Sequence, residues 1–316
     1  MTTGDIPKIG VSSCLLGDEV RYDGGHKHNR YVTGVLAECL ELVPWCPELG
    51  IGLGVPRPPI HLERIDGEIR AVRVDDPSVD VTDRLADYAR VVGEEAFGLS
   101  GYIFKKDSPS CGMERVRIYT ESGVEKSGTG IYAREIMSMH PNLPTEEEGR
   151  LNDPVLRENF ITRVFTLYRW QQFQAAGLTA AGLVAFHTAH KFLILAHDEP
   201  GYRRLGRLVA SAGSDDLEGL AAQYLSQLMT ALKHHATPAK HANVLMHIMG
   251  FFKDKLDRGD KEELLGLIDA HRQQQVPLVV PITLINHFLR RFPDVYIERQ
   301  VYLEPHPREL MLRNHV

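Results

Sequence analysis

The chain has 316 residues, 43% of them apolar and 25% charged, with a net charge of −6, the composition of a globular protein long enough for two domains. No stretch reaches the roughly 18 uncharged apolar residues of a membrane span, and the opening Met-Thr-Thr-Gly-Asp-Ile-Pro-Lys carries no apolar leader. A cytoplasmic protein is expected, in which the four cysteines serve as thiols or metal ligands rather than disulfides.

The first strand is expected at Ile9 to Ser12, followed by a helix over Tyr31 to Glu41 with Val35, Leu36 and Leu40 on one face, and a second strand over Leu42 to Trp45. Between Ile60 and Val74, alternating apolar runs flank Asp66-Gly67, a dipeptide that supplies the positive φ angles of a tight hairpin turn. Thr82 is placed to cap a helix through Phe97, and Tyr102 to Phe104 reads as a third, buried strand. These elements predict an α/β domain over residues 1–150, an open, mostly parallel sheet with a hairpin insertion. From Gly130 the pattern turns helical. Asp153 before Pro154 is a cap-and-first-turn signature for a helix to about Phe173. The Ala-Ala-Gly-bearing segment 174–178 breaks it, so 151–178 is expected to be a connecting helix and linker. Helical stretches at about 179–198, 200–212, 215–235, 238–257, 260–274 and 279–291 predict an all-α domain over 179–316.

Cys14, Cys46 and Cys111 each sit just past a short apolar run. In an open parallel sheet the ligand crevice lies at the carboxyl ends of the strands, so these three can converge although far apart in sequence. Thiolate is a soft ligand suited to zinc or iron-sulfur clusters. Zinc favours close pairs such as Cys-x-x-Cys, which the chain lacks, whereas single cysteines from different strands suit a cluster with one position open to substrate. Three unrelated core thiols are the competing reading, because free cysteine is often buried. Cys39, set among Val35, Leu36 and Leu40, is expected to be a core thiol.

The words Ser13-Cys14-Leu15-Leu16-Gly17, Arg21-Tyr22-Asp23-Gly24, Cys46-Pro47-Glu48, Gly52-Leu53-Gly54-Val55-Pro56-Arg57-Pro58-Pro59 and Lys106-Asp107-Ser108-Pro109-Ser110-Cys111-Gly112 resemble the thiouracil desulfidase family over roughly residues 7–150. Residues from about 180 to 305, with Ala185-Phe186-His187-Thr188-Ala189-His190-Lys191-Phe192 and Tyr202-Arg203-Arg204-Leu205-Gly206, resemble the YbgA-type helical domain. The fusion is similar to enzymes that remove sulfur from 4-thiouridine in tRNA. The chain departs from many single-domain relatives at Val20, where they carry a further cysteine.

The resemblance implies a non-redox desulfidase. Cys14, Cys46 and Cys111 would hold a 4Fe-4S cluster, leaving its fourth iron to take the thiocarbonyl sulfur while water attacks the carbon. Glu48 would act as general base or acid, and Ser108 would donate a hydrogen bond or relay a proton, with Ser110 the rival for that role. Glu48 as a helix-start carboxylate and Ser108 as a turn-former are the plain readings of the same residues. Arg57 suits substrate or phosphate binding as well as an ion pair, and Lys106 and Ser110 join it as expected substrate contacts. Free thiouracil or a thionucleoside is the alternative substrate. A cluster-bearing sensor without turnover is the alternative from another class.

Residues 1–150 carry 17 Lys and Arg against 25 Asp and Glu, while residues 151–316 carry 19 against 17 and 11 of the 15 histidines. A basic, His-rich half can meet a polyanion. Lys191, Arg203, Arg204 and Arg207, with Tyr202 and Phe192 interleaved, are the expected RNA contacts, a solvated helix face being the plain reading. His187 with His190, and His241 with His247, stand near helical spacing, but the Glu of a zincin motif is absent, so structural histidines are expected. tRNA is the expected partner, and the sequence sets no oligomeric state.

Overall fold

The structure is a computed structural model that describes residues 6–213 and 216–316. The opening segment and the helix start expected at 215 fall wholly or partly outside these residues. The chain divides into two compact units, residues 1–152 and 153–316.

In the first unit the elements run β1 (Lys8–Ser12), β2 (Glu41–Trp45), α1 (Pro47–Gly50), β3 (Ile60–Ile65), β4 (Glu68–Arg73), α2 (Thr82–Glu95), β5 (Gly101–Phe104), β6 (Val116–Thr120), β7 (Gly123–Gly128), α3 (Ile131–Met139) and β8 (Thr145–Glu147). β2, β1, β5 and β8 form a parallel sheet in that order. Its inner strands are apolar on both faces, with Ile9, Val11, Tyr102, Ile103 and Phe104 fully buried, as a covered parallel sheet requires. Pro44 is tolerated because β2 is an edge strand.

The Asp66-Gly67 hairpin forms as expected, both residues at positive φ. It stands outside the parallel sheet. It pairs through β3 with β6 and β7 to make a second four-stranded sheet of order β4-β3-β6-β7. β6 and β7 escaped the sequence reading, although Val116 and Ile118 alternate with exposed Arg117 and Tyr119 in the period of a half-buried strand.

Three local expectations are corrected. The helix over 31–41 is instead a π turn over Tyr31–Val35 followed by a 3-10 turn over Leu36–Glu38, with Val35 exposed and Cys39 half-buried at its end. Asn29 accepts hydrogen bonds from the backbone of Tyr31 and Val32 and anchors the turn there. Thr82 does not cap α2, because its hydroxyl accepts the N–H of Ala71 in β4 while Asp80 accepts the N–H of Thr82. The helix expected to connect two domains belongs wholly to the second unit.

That unit contains α4 (Pro154–Ala175), α5 (Ala180–His197), α6 (Glu199–Ala210), α7 (Leu217–Leu232), α8 (Pro238–Met249), α9 (Arg258–Arg272), α10 (Val279–Arg291) and α11 (Val295–Glu298). Asp153 caps α4 by accepting from Val155 and Leu156, with Pro154 in the first turn. Trp170 of α4 lies fully buried in the core beside Tyr224 and Phe186, which makes α4 part of the helical core. α8 stops at Met249 and a 3-10 turn over Gly250–Phe252 follows. Among the described residues no helix is long and apolar enough to cross a membrane.

Candidate active site

The three cysteines leave the parallel sheet at its carboxyl edge. Cys14 lies in the 3-10 turn directly after β1, Cys46 stands between β2 and α1, and Cys111 ends the turn after β5. All three are free thiols lining one cavity of about 1000 Å³. Cys39 does not line it. Val20 does, and its carbonyl sits 3.9 Å from the Cys46 sulfur.

The Cys111 turn is built by close backbone packing. Ser108 Oγ accepts the N–H groups of Ser110 and Cys111 at 3.3 and 3.1 Å. The N-terminus of α3 then abuts the same turn, Gly130 N donating to Gly112 O at 2.7 Å and Ala133 N to Ser110 O at 3.1 Å. A β-carbon on Gly130 would stand 2.5 Å from the Ser110 carbonyl carbon and 2.8 Å from the Cys111 nitrogen, so only glycine permits this approach.

Burial pushes the Cys14 thiol up to about 11, with a further rise from neighbouring Cys46. Burial also raises Cys46, and raises Cys111 well above the usual thiol range, where Cys46 and Cys14 add to the effect. Three thiols that resist ionising together are a donor set that calls for a positive centre between them. Lys105, a half-buried cation whose charge partly offsets the rise at Cys14, is already paired with Glu148.

Glu48 is held from both sides. Arg57 donates to its Oε2 from Nε at 2.9 Å and from Nη2 at 2.7 Å, and Ser110 Oγ donates to its Oε1 at 3.0 Å. Arg57, 8% exposed, also donates to the carbonyls of Gly54 and Val20 at 2.8 and 2.9 Å. Its fork is therefore taken up by protein groups. Ser110 is fully buried and does not line the cavity, whereas Ser108 does. Lys106 lines it with an exposed side chain near Asp107. Ser12 escaped the sequence reading: its Oγ accepts the Lys105 N–H at 2.9 Å at the cavity wall, and the hydroxyl also bonds the Cys111 thiol. Its place at the end of β1 was the available signal.

In the second unit the expected RNA contacts do not form one cluster. Lys191 and Arg203 line a common groove, while Arg204 pairs with Asp198 at 3.1 Å and Arg207 lies exposed elsewhere on α6. Arg203 also pairs with Glu199 one turn away. Three of the four histidines singled out by spacing are core residues. His187 bonds the Tyr224 hydroxyl at 3.1 Å and His190 the Phe186 carbonyl at 2.7 Å. His241 is buried against Tyr302, whereas His247 is exposed. Among the described residues no three or more His, Cys, Asp or Glu side chains are grouped to hold a single metal ion.

A parallel sheet that delivers three free cysteines, a buttressed carboxylate and the hydroxyls of Ser12, Ser13 and Ser108 to one cavity defines an α/β enzyme with a thiol-lined active site. Residues 9–148 match the family model for 2-thiouracil desulfurase, and residues 191–307 match a model for a protein of unknown function, DUF1722. The chain belongs to the 2-thiouracil desulfurase family through its first unit, and that makes it a thiouracil desulfidase. The sensor reading falls with this. Over 158 residues the chain is 34% identical to the uncharacterised protein YbgA of Escherichia coli (strain K12), covering 50% of this chain and 94% of that one. Over 151 residues it is 32% identical to the uncharacterised protein YbbK of Bacillus subtilis (strain 168), covering 45% and 97%. A solved structure described as the [4Fe-4S]-dependent thiouracil desulfidase TudS aligns at 31% identity over 46% of this chain and 93% of that one, with a TM-score of 0.38.

Proposed function

We propose that the protein is a cytoplasmic, non-redox desulfidase of 4-thiouridine in tRNA, using a 4Fe-4S cluster held by Cys14, Cys46 and Cys111. The observation that carries the reading is the convergence of these three free, buried thiols on one cavity. The donor set fits a cluster. A single ion needs every donor within about 2.3 Å of one point, and no such grouping exists among the described residues, whereas a cluster offers a separate iron to each thiolate. When bound, a cluster with one iron free of protein ligands supplies a soft Lewis acid for a thiocarbonyl sulfur.

The chain's own residues do the rest. Glu48 accepts the proton of the attacking water on Oε1, which retains a lone pair beside the Ser110 hydrogen bond, while Arg57 fixes the carboxylate through Oε2. Ser108 accepts two backbone N–H groups, so its own proton is free to meet charge developing on the substrate. Ser110 orients Glu48 from inside the protein, and Lys106 reaches the substrate from the cavity wall. Water supplies the oxygen, the thiocarbonyl becomes a carbonyl, and sulfide leaves with the water's protons, so no electron is gained or lost.

Two features support RNA over a free base. Arg21, Lys27 and Lys106 line the cysteine cavity, where flanking phosphates can meet them. The helical unit also has the basic balance that suits a polyanion. The test is anaerobic sulfide release from thiolated tRNA and from free thiouracil across a salt series. Turnover of tRNA is expected to exceed that of thiouracil and to fall steeply with salt, while thiouracil turnover responds little. Equal or better use of the free base at every salt concentration makes the small-molecule substrate the true one.

A further inference from the structure

The helical unit carries a groove of about 650 Å³ where α5, α6, α8 and α11 meet. Its floor is aromatic. The rings of Phe251 and Tyr296 stack with centroids 5.3 Å apart and planes 20° from parallel. Phe192, itself buried, meets both rings edge-on at 6.4 and 6.2 Å, so the pair is buttressed from within. Phe251 is nevertheless 41% exposed, an unusual position for a rigidly held phenyl ring.

The walls are cationic. Lys191 Nζ lies 5.6 Å from the centroid of the Tyr296 ring. Lys240 and Arg203 also line the groove, Lys240 fixed by donating to the His197 carbonyl at 2.6 Å and Arg203 by its pair with Glu199. Glu199 is the one acidic residue among those lining it. Three cations around a preformed aromatic platform form the complement of a nucleotide: every base has a π face to stack, and its phosphates meet the cations. An apolar peptide would use the rings and leave the charges unanswered.

We propose that this groove is a stacking slot for one unpaired base of the substrate RNA, with Phe251 as the platform and Lys191, Arg203 and Lys240 against the flanking phosphates. The assignment rests on the tRNA reading above and gives that RNA a second point of attachment, outside the cysteine cavity. It also replaces Arg204 and Arg207 as the expected contacts.

Stacking and charge separate in a salt series. Binding of a 4-thiouridine-containing tRNA to the cluster-loaded full chain would be followed by electrophoretic mobility, with circular dichroism as the check on folding. Phe251→Ala removes no charge, so affinity is expected to fall about tenfold or more at every salt concentration with the slope against log salt unchanged. Phe251→Trp keeps a platform and keeps parental affinity. Lys191→Ala with Arg203→Ala is expected to flatten the slope by about 0.7 for each phosphate no longer neutralised. Should Phe251→Ala lose helicity, Tyr296→Leu applies the same test. A parent that binds and desulfurates tRNA while Phe251→Ala matches it overturns the slot alone. A loss in Phe251→Trp equal to that in Phe251→Ala overturns it too. A parent that does not bind tRNA overturns both the slot and the RNA reading.

Discussion

Glu48 and Arg57 show how far one ion pair can carry a site. Their side chains are 15% and 4% exposed and joined at 2.7 Å, so each is the other's main compensation for burial. Removing one partner of a buried pair costs about 3–5 kcal/mol because the other charge is left alone. Arg57→Ala is therefore expected to lower the denaturation midpoint of the first unit and to loosen the Gly54 and Val20 carbonyls that Arg57 also holds. Arg57→Lys restores only part of this, since one ammonium cannot span three acceptors in the geometry of a guanidinium. Denaturant titration of the two variants checks it; a midpoint unchanged in Arg57→Ala would show the pair to be energetically idle. Glu48→Gln is a different experiment. The amide oxygen can face Arg57 and the amide nitrogen the Ser110 hydroxyl, which accepts as readily as it donates. The fold should survive at a lowered denaturation midpoint, since Arg57 keeps hydrogen bonds but loses its counter-charge, and the iron content should hold while turnover falls by about 10²-fold or more. Sulfide release from an iron-loaded Glu48→Gln protein decides whether Glu48 moves protons. Pro47 and Cys46 beside it marked Glu48 in the sequence, but nothing in sequence order marked Ser110, 62 residues away, as its partner.

At the scale of elements, the turn after β5 depends on α3. The helix start at Gly130 donates into the turn and leaves no room for a side chain against Ser110 and Cys111. Gly130→Ala must shift one segment by several tenths of an ångström, and the turn, held by three backbone bonds from α3, is the part that moves. Iron content is expected to drop sharply in this variant while its far-ultraviolet circular dichroism stays near that of the parent. Full iron loading in Gly130→Ala would mean that the cysteine turn tolerates displacement. Elements with one dominant signal were legible: the Asp66-Gly67 hairpin, the Asp153-Pro154 helix start and the apolar strands β1 and β5. Where signals competed, the reading failed. Val35, Leu36 and Leu40 keep helical spacing, but the segment closes as a π turn and a 3-10 turn, and β2 begins at Glu41. Thr82 carries a good capping side chain, yet β4 lies close enough to take its hydroxyl first.

Across the whole molecule the histidines that burial holds below their ordinary range fall in the second unit. Burial holds His187 at about 4 and His190 at about 3, against an ordinary 6.5. From pH 6.5 down to these values the unfolded chain takes up protons that the folded one refuses, so acid favours unfolding at about 1.4 kcal/mol per pH unit for each histidine. Glu158 acts in the same sense at lower pH. Burial alone would raise it, but His306 and Arg313 hold it well below 4.5, so its contribution is present above 4.5 and lost below. Hydrogen exchange between pH 7 and 4, corrected for intrinsic rates, should show protection in residues 153–316 falling sooner than in 6–152. A uniform fall, or an earlier loss in the first unit, would remove the buried histidines as the cause.

The sequence by itself determined what depends on neighbours along the chain: helix starts, the tight hairpin, the apolar inner strands, and the words around Cys14, Cys46 and Cys111 that resemble the desulfidase family. Strand period and turn chemistry are local, and they place a cysteine after each of three strands. Only the tertiary structure decided which strands are neighbours, and hence that β2, β1 and β5 bring the three thiols to one rim. It alone gave Glu48 its two supports, set Ser108 in the cavity wall and Ser110 behind it, and dispersed the basic residues of α6 while gathering Lys191, Arg203 and Lys240 around a pair of stacked rings. The reason is physical: a hydrogen bond or ring stack acts over a few ångströms, and residues tens of positions apart come within that range only once the two sheets and the helical core have formed.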